Sequence, residues 1–263
     1  MIGLLFLLFG IIFGILLLWS IYEEQCSIKT YRQNLSTNKN WTSWHKRDFE
    51  RLKSQSCIVE KRKYSLMVVL GSGGHTAEMV QILRTFGQNI FSTRFIGQDD
   101  SLSFVEKTCQ FLYIVASSDH HSVDKISCLH ERDGAMALFP YQILWIPRSR
   151  HVGQSYFSSL FTTIYSFVVS SWKLWLCEQP DVLVCNGPGT CVPVVFIMFF
   201  RNVFYNLAQR KRRTRIVFIE SIARVRSLSL SGRVLYPFVH RFLVQWPDMM
   251  DKYPLVEYVG LCL

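Results

Sequence analysis

The chain has 263 residues, 49% of them hydrophobic, and carries a formal net charge of +10 at pH 7. This length suits one or two domains. Its eight cysteines form no C-x-x-C pair and no dense framework, so the composition gives no support to a disulfide scaffold.

Residues 1–22 are the first predicted element, an uncharged stretch reading MIGLLFLLFGIIFGILLLWSIY. About twenty apolar residues span a bilayer as a helix. A cleaved signal peptide is the alternative, but a basic start and a small-residue cleavage site are both missing. The sequence therefore predicts an uncleaved transmembrane anchor. Basic residues follow it from Lys29 to Lys53 and none precedes it, so the positive-inside rule places the rest of the chain in the cytosol.

Residues 23–63 are polar and basic, and they predict a juxtamembrane linker. Its cations suit contact with anionic lipid headgroups, and a solvated tether is the other interpretation.

From residue 64 to residue 263, apolar strand-like runs alternate with helical patterns. Strands are predicted at 66–70, 92–96, 111–116, 142–146, 182–185, 216–219 and 242–245. Helices are predicted at 76–86, 154–178, 192–207 and 228–238. Alternating strands and helices predict an α/β fold with a single doubly wound, Rossmann-like parallel sheet.

Three further stretches, 117–139, 156–176 and 192–200, show patterns that are less easily interpreted. The segments 156–176 and 192–200 are more apolar than a soluble surface tolerates, and they predict buried helices or shallow insertion into a membrane. The segment 117–139 contains His120, His121, Cys128 and His130. Their irregular spacing matches no familiar metal-ligand pattern, so we predict a loop there.

The first strand of this region ends in a glycine-rich turn, LGSGGHTAEM, in which a helical pattern starts at His75. A turn of this kind lets the backbone approach a ligand and aims N–H groups at an anion, typically a phosphate. Thr76 stands where a dinucleotide fingerprint has its third glycine, which argues against a stand-alone dinucleotide-dependent enzyme. A tight turn without a ligand is the alternative interpretation.

Further polar residues follow other predicted strands. The second glycine turn contains Asn186, Gly187, Gly189 and Thr190; Glu220, Ser221 and Arg224 follow the strand at 216–219; Arg148 and Arg150 follow Pro147. Ligands of open α/β sheets collect at the carboxyl ends of strands. Glycine turns and arginines gathered at that edge favour a pyrophosphate site. A nucleoside-triphosphate hydrolase is disfavoured, because neither a Walker lysine nor an Asp-rich metal cluster is present.

Five motifs occur here in the same order as in one family: VVLGSGGHTAEMVQIL, IPRSRHVGQS, PDVLVCNGPGTCVPV, ESIARVRSLSLSG and VQWPDMMDKYP. Over residues 64–263 the chain resembles the asparagine-linked glycosylation protein fourteen family, the membrane-anchoring subunit of a UDP-N-acetylglucosamine transferase. More distantly, the glycine turns and the Glu220 segment resemble the acceptor half of the bacterial transferase that adds N-acetylglucosamine to lipid-linked muramyl peptide. The long stretch 23–63 and the segment after Ser117 depart from the family pattern.

The resemblance implies a two-domain, GT-B-type glycosyltransferase divided between two chains. This chain would be the acceptor half, inactive alone, and a soluble subunit, the thirteenth member of the same pathway, would bind the donor. The expected location is the cytosolic face of the endoplasmic reticulum membrane, with the nuclear envelope as a further location. The residues implied to dock onto that partner are Tyr258, Val259, Gly260, Leu261, Cys262 and Leu263.

The implied reaction is an inverting displacement on N-acetylglucosaminyl-diphosphodolichol that forms a β1,4 linkage. Either His75 is the general base, or His75 orients the acceptor diphosphate and Glu220 takes the proton. The residues implied to bind the acceptor are Gly71, Ser72, Gly73, Gly74, Thr76, Arg148, Arg150, Asn186, Gly187, Gly189, Thr190, Ser221 and Arg224. No cofactor, metal or nucleic-acid partner is expected. The alternative function is a membrane scaffold without catalytic residues.

Overall fold

A computed structural model describes residues 2–37, 64–94, 109–134, 136–148, 156–187, 189–208 and 213–261. For residues 2–13, 31, 34–37, 88–94, 156–160 and 163 the description is confined to the backbone.

Within these residues the strands and helices alternate after an N-terminal helix. The strands are β1 (Tyr64–Val69), β2 (Cys109–Ala116), β3 (Tyr141–Ile146), β4 (Val182–Asn186), β5 (Arg215–Ile219), β6 (Arg241–Val244) and β7 (Glu257–Tyr258). The α-helices are α1 (Ile2–Thr37), α2 (Gly74–Arg94), α3 (His120–Arg132), α4 (Tyr156–Leu176), α5 (Cys191–Leu207) and α6 (Leu230–Leu235).

The strands form one sheet in the order β3-β2-β1-β4-β5-β6-β7, and every neighbouring pair is parallel. Strand order reverses between β1 and β4, where Met67 pairs with Leu183. This reversal is the topological switch point at which open α/β sheets bind their ligands. The predicted α/β class and doubly wound sheet are confirmed.

Both faces of the sheet are buried, which explains why the central strands are continuously apolar. Met67 and Val69 of β1 join the core cluster beneath α1 and α5, whereas Val68 and Leu70 join the cluster beneath α2 and α3. Side chains alternate between faces along a strand, so a single strand contributes to both cores.

The prediction of a loop over residues 117–139 is wrong, because α3 occupies most of it. Asp119 caps the helix by accepting a hydrogen bond from the Ser122 backbone N–H at 3.3 Å. Ile126 and Leu129 are buried at helical spacing, and His130 lies 2.9 Å from the Tyr113 hydroxyl through its Nε2 atom. The polar residues on the outer face of α3 hid this short apolar stripe from the sequence.

Two other elements differ from prediction. The predicted strand at 92–96 is not found: residues 92–94 end α2, and residues 95–96 lie outside the described part of the chain. The short strand β7 was not predicted, because two residues carry no readable alternation.

Helix α1 continues to Thr37, so the predicted boundary between anchor and linker falls inside a helix. Its second half packs on the domain: Ile28 is buried, Ser20 Oγ donates to the Val203 carbonyl at 2.8 Å, and Arg32 Nη2 donates to the Tyr236 carbonyl at 2.6 Å. Residues 38–63 of the predicted linker lie outside the described residues.

A search of the described residues finds no helix with the length and apolar character needed to cross a bilayer. The predicted anchor falls partly on residues 1–13, whose side chains are outside that description. It stays a prediction.

The two very apolar helices differ in their exposure. Helix α5 is buried, with Val194, Val195 and Met198 inaccessible to solvent, as the buried-helix interpretation predicts. Helix α4 buries Leu174 but exposes a row of large apolar side chains: Phe161, Ile164, Tyr165, Val168, Trp172, Trp175 and Leu176.

Candidate functional site

The first glycine turn connects β1 to α2 at the carboxyl edge of the sheet. Gly73 has a φ angle of +66°, a conformation that glycine adopts without strain. Thr76 is fully buried, and its hydroxyl donates to the Gly71 carbonyl. The predicted ligand role of Thr76 is therefore not supported by its position, since its side chain closes the turn from inside. Ser72, Gly73 and Gly74 are exposed, as a ligand-facing turn requires.

His75 lies directly over the second glycine turn, which follows β4. A Cβ atom on Gly187 would come within 2.6 Å of His75 Cε1, and Gly187 has a φ angle of +66°. Position 187 therefore requires glycine for two reasons: a side chain would collide with the imidazole, and the backbone there is left-handed. The two predicted turns meet across the switch point.

Glu78 holds this meeting point together, one helical turn after His75. Its carboxylate is 5% exposed and accepts hydrogen bonds from Asn186 Nδ2 at 3.2 Å, the Ile222 N–H at 2.7 Å and Gln245 Nε2 at 2.7 Å. Asn186 is the last residue of β4, whereas Ile222 and Gln245 follow β5 and β6. One buried carboxylate thus ties the first turn of α2 to three strand ends.

The same carboxylate faces the histidine. His75 Nδ1 lies 3.9 Å from Glu78 Oε2, a distance suited to charge attraction rather than a hydrogen bond. Among the described residues, Nδ1 makes no hydrogen bond. Burial lowers the pKa of His75 below its ordinary value, and the Glu78 charge acts in the opposite direction. His75 is therefore neutral at pH 7 and able to accept a proton.

Glu220, the second candidate base, lies behind this surface. It is fully buried, with Oε1 accepting from the Ser221 N–H at 3.2 Å and Oε2 accepting from the Ser229 N–H at 2.9 Å. Burial raises its pKa, and the hydrogen bonds from Ser229 and Ser221 oppose that shift. Gly232 has no side chain to displace this carboxylate. Glu220 fixes the turn from β5 to α6, and its carboxylate is committed to that turn.

A cavity of about 590 Å³ opens between the first glycine turn and the turn after β5. It is lined by Gly74, His75, Ala77, Glu78, Gln81, Ser221, Ile222 and Ala223. We call it the histidine cavity. It combines a half-exposed imidazole with a buried carboxylate, a pair able to take a proton and stabilise the cation that results.

A second cavity, also of about 590 Å³, lies on the other side of the first glycine turn. Its lining consists of Ser72, Gly73, Ser118, Asp119, His121, Ser122, Asp124, Lys125 and Arg148. We call it the basic cavity after Lys125 and Arg148. The predicted Arg148 lies here, where its Nη2 donates to Ser72 Oγ at 2.9 Å.

The other predicted residues are distributed unevenly. Asn186 is fully buried and donates to the His75 carbonyl at 3.0 Å, so it supports the turn from within. Thr190 precedes α5 without a capping side-chain bond. Arg224 is exposed and lines neither cavity. Gly189 has open space around its Cα.

Three predicted residues lie outside the described part of the chain: Arg150, Cys262 and Leu263. Tyr258 and Val259 lie at the edge strand β7, where the Val259 N–H donates to the Val244 carbonyl at 3.1 Å. Gly260 follows with a φ angle of +77°, and Leu261 is 57% exposed. Their docking role stays a prediction.

Sequence reasoning missed Glu78, Gln245, Lys125 and Ser118. Glu78 stands three residues after His75, a spacing that places both on one helical face, and this was the available signal. Lys125 carried no signal, because the segment around it was interpreted as a loop.

Two solved structures resemble the chain. MurG of Acinetobacter baumannii matches with a TM-score of 0.40 and 12% identity over 71% of this chain and 42% of its own. A structure titled LpCGTa in complex with UDP matches with a TM-score of 0.37 and 9% identity over 75% of this chain and 52% of its own. This chain spans about half the length of each.

Sequence relatives are much closer. A Yarrowia lipolytica protein named UDP-N-acetylglucosamine transferase subunit ALG14 is 41% identical over 196 residues, covering 74% of this chain and 80% of its own length. The human protein of that name is 35% identical over 207 residues, covering 77% of this chain and 85% of its own length. The profile of the family described as "Oligosaccharide biosynthesis protein Alg14 like" matches residues 66–262. The chain belongs to this family.

Proposed function

We propose that this chain is the acceptor-side subunit of a heteromeric UDP-N-acetylglucosamine transferase that adds the second N-acetylglucosamine to N-acetylglucosaminyl-diphosphodolichol. The names of its relatives as transferase subunits support this proposal. A separate soluble subunit binds the donor and supplies the other half of a GT-B-type enzyme.

His75 over Gly187 is the observation that carries the chemical part of the proposal. In the reaction, the 4-hydroxyl oxygen of the acceptor sugar attacks the anomeric carbon of the donor. The bond from that carbon to the UDP oxygen breaks, and UDP leaves with the electron pair. His75 takes the hydroxyl proton, since burial keeps its pKa low enough for the neutral form at pH 7. Attack from the face opposite UDP inverts the anomeric centre and gives the β1,4 linkage.

Glu78 stabilises the imidazolium that forms. Its carboxylate, 3.9 Å from Nδ1, favours the protonated state of His75 as the proton arrives. The glycines of both turns allow the backbone to approach the acceptor closely. Glu220 holds the turn after β5 in place and takes no proton.

The membrane half of the proposal rests on the N-terminal sequence and on exposed apolar side chains. An uncharged stretch at residues 1–22 anchors the chain in the endoplasmic reticulum membrane, with the domain on the cytosolic face. Trp19 and Tyr22 of α1 and Trp172 of α4 are exposed, and aromatic residues of this kind are enriched at membrane interfaces.

The test is transfer of radiolabelled N-acetylglucosamine from UDP-N-acetylglucosamine to N-acetylglucosaminyl-diphosphodolichol in membranes carrying this chain. Activity is expected only when the soluble partner is added. Substantial activity of this chain alone would contradict the divided enzyme. Absence of activity with a partner shown to bind would contradict the proposed reaction.

A membrane scaffold for the partner, with no catalytic residue of its own, is the second candidate. The exposed apolar row on α4 favours it, because that surface suits membrane attachment whatever the chemistry. His75→Ala separates the two functions. Lost transfer with retained partner binding supports the catalytic role, whereas unchanged transfer supports the scaffold.

A further inference from the structure

Two cations converge on the first glycine turn from the side opposite the histidine cavity. Arg148, after β3, places Nη1 3.4 Å from Ser118 Oγ and Nη2 2.9 Å from Ser72 Oγ. Lys125, one turn into α3, places Nζ 3.4 Å from the Gly73 carbonyl. These contacts hold both charges at the mouth of the basic cavity, beside the exposed N-terminal turn of α2.

The carboxylates in the same lining are directed elsewhere. Asp119 caps α3, with one oxygen 3.3 Å from the Ser122 N–H and the other 2.6 Å from the Ser122 hydroxyl. Asp124 is 79% exposed and lies 4.0 Å from His121 at the outer rim. The side chains that contact Ser72 and Gly73 in this cavity are therefore the two cations, Arg148 and Lys125.

The basic cavity also lies between the apolar row of α4 and His75. Ser166 of α4 donates to the Pro147 carbonyl at 2.7 Å, which places this helix beside the residue that precedes Arg148. Tyr165, which directly precedes Ser166, and Phe161, about one turn before Tyr165 on α4, are exposed. Going from α4 to His75, one therefore meets the exposed apolar side chains, then the two cations Arg148 and Lys125, then the first glycine turn, and last the imidazole of His75. A lipid-linked sugar diphosphate has the same order of parts.

We propose that Lys125 is a phosphate-binding residue of the acceptor site, acting together with Arg148, which lines the same cavity. The diphosphate of the lipid-linked acceptor lies between the two cations, its lipid leaves towards α4, and its sugar crosses the glycine turn to His75. Charge-assisted hydrogen bonds from two directions fix the diphosphate better than one cation does. This inference rests on the proposed function.

The test compares Lys125→Gln, Lys125→Arg and a matched control, Lys252→Gln, each assembled with the soluble partner. Lys252 is also an exposed lysine that donates to a backbone carbonyl, that of Arg226 at 3.2 Å, and it lines neither cavity. A short-chain N-acetylglucosaminyl-diphosphoprenol serves as the acceptor. Lys125→Gln should raise the acceptor KM about tenfold and leave kcat within about twofold, since one charged hydrogen bond is lost in ground and transition states alike. Lys125→Arg should restore most of the affinity.

An acceptor KM that is unchanged in Lys125→Gln, or raised equally in Lys252→Gln, would overturn the inference. A raised KM for UDP-N-acetylglucosamine instead would also overturn it, because the cation would then serve the donor diphosphate. These results require an active wild-type complex. If the wild-type complex transfers nothing, the proposed function fails first, and calorimetric titration of the short-chain acceptor still tests whether Lys125 binds a diphosphate.

Discussion

In the part of the chain that the structure describes, two buried glutamates each face a histidine, at opposite ends of the domain. Glu24 of α1 lies 3.6 Å from His240, and both side chains are inaccessible to solvent. Glu78 lies 3.9 Å from His75, whose side chain is 36% exposed. The two pairs have the same residue types and similar nitrogen-to-oxygen distances, but the histidine is buried in the first pair and partly exposed in the second. We call Glu24–His240 the closed pair and Glu78–His75 the open pair. The closed pair can only stabilise the fold, whereas the open pair can exchange a proton with a ligand.

The partners of the two carboxylates reinforce this contrast. Glu24 accepts from Asn202 at 3.0 Å and Asn206 at 3.2 Å, both on α5, and so fastens α1 to the domain. The Glu78 carboxylate accepts hydrogen bonds from residues at three strand ends, and Glu78 also lines the cavity that contains His75. Burial lowers the pKa of both histidines, to about 3 for His240. Of these two histidines, only His75 lines a cavity.

Among substitutions of the residues around the two histidines, the largest expected effect is on stability, at the closed pair. Glu24→Ala removes an acceptor of the buried Asn202 amide and of the partly buried Asn206 amide, which should lower the free energy of unfolding by about 3 kcal/mol. Glu23→Ala, on the exposed neighbour, should change it by less than about 0.5 kcal/mol. Urea unfolding of the full chain with its partner measures both. Equal stability of the two variants would contradict a fastening role for Glu24.

The next largest effect is expected on transfer activity, when the space beneath the His75 imidazole is filled. Gly187→Ala places a methyl group 2.6 Å from His75 Cε1 and forces alanine into a left-handed backbone that costs about 1–2 kcal/mol. We expect transfer to fall about thirtyfold as the ring is displaced. Gly134→Ala is the control, since a Cβ there meets nothing within 4 Å. Wild-type transfer in Gly187→Ala would mean that the position of the ring does not matter.

A smaller effect is expected from neutralising the open carboxylate. Glu78→Gln keeps an oxygen for the Ile222 N–H but removes the charge that raises the pKa of His75. Transfer should fall about tenfold, and the acid limb of the profile of kcat/KM against pH should move to lower pH. A limb that stays in place, or moves to higher pH, would show that Glu78 does not act through His75.

The smallest effect expected is a pH dependence of stability from the closed pair. Because burial holds the pKa of His240 below 6.5, its neutral form stabilises the fold above that pH, and stability is lost as pH falls towards about 3. The loss should be roughly 1 kcal/mol between pH 6.5 and 5.5. Burial also raises the pKa of Glu24, which acts in the opposite direction. His240→Gln should flatten the decrease, and an unchanged slope would exclude His240 as its source.

The sequence predicted the sheet and both glycine turns, because buried parallel strands and turn glycines are local patterns. It did not predict Glu78 as the centre of the site. That role depends on contacts such as the one with the Ile222 N–H, 144 residues away along the chain, which periodicity does not reveal. The preference for His75 over Glu220 as the proposed base likewise rests on burial and hydrogen-bond partners, which the sequence does not reveal.

Helix α3 shows the same limit from another direction. Its polar composition matched a loop, yet Ile126 and Leu129 close one core and Lys125 faces the basic cavity. The continuation of α1 onto the domain was also hidden, because its contacts are single polar residues such as Glu24 and Arg32 within a basic stretch.

The most direct test of the account substitutes the two histidines in parallel. His75→Gln and His240→Gln complexes are compared for kcat at saturating substrates and for the midpoint of thermal unfolding. We predict that His75→Gln loses transfer by about 10²–10⁴-fold with an unchanged midpoint. His240→Gln should unfold at a lower temperature and retain its kcat per folded molecule. Full transfer by a folded His75→Gln complex would contradict the account.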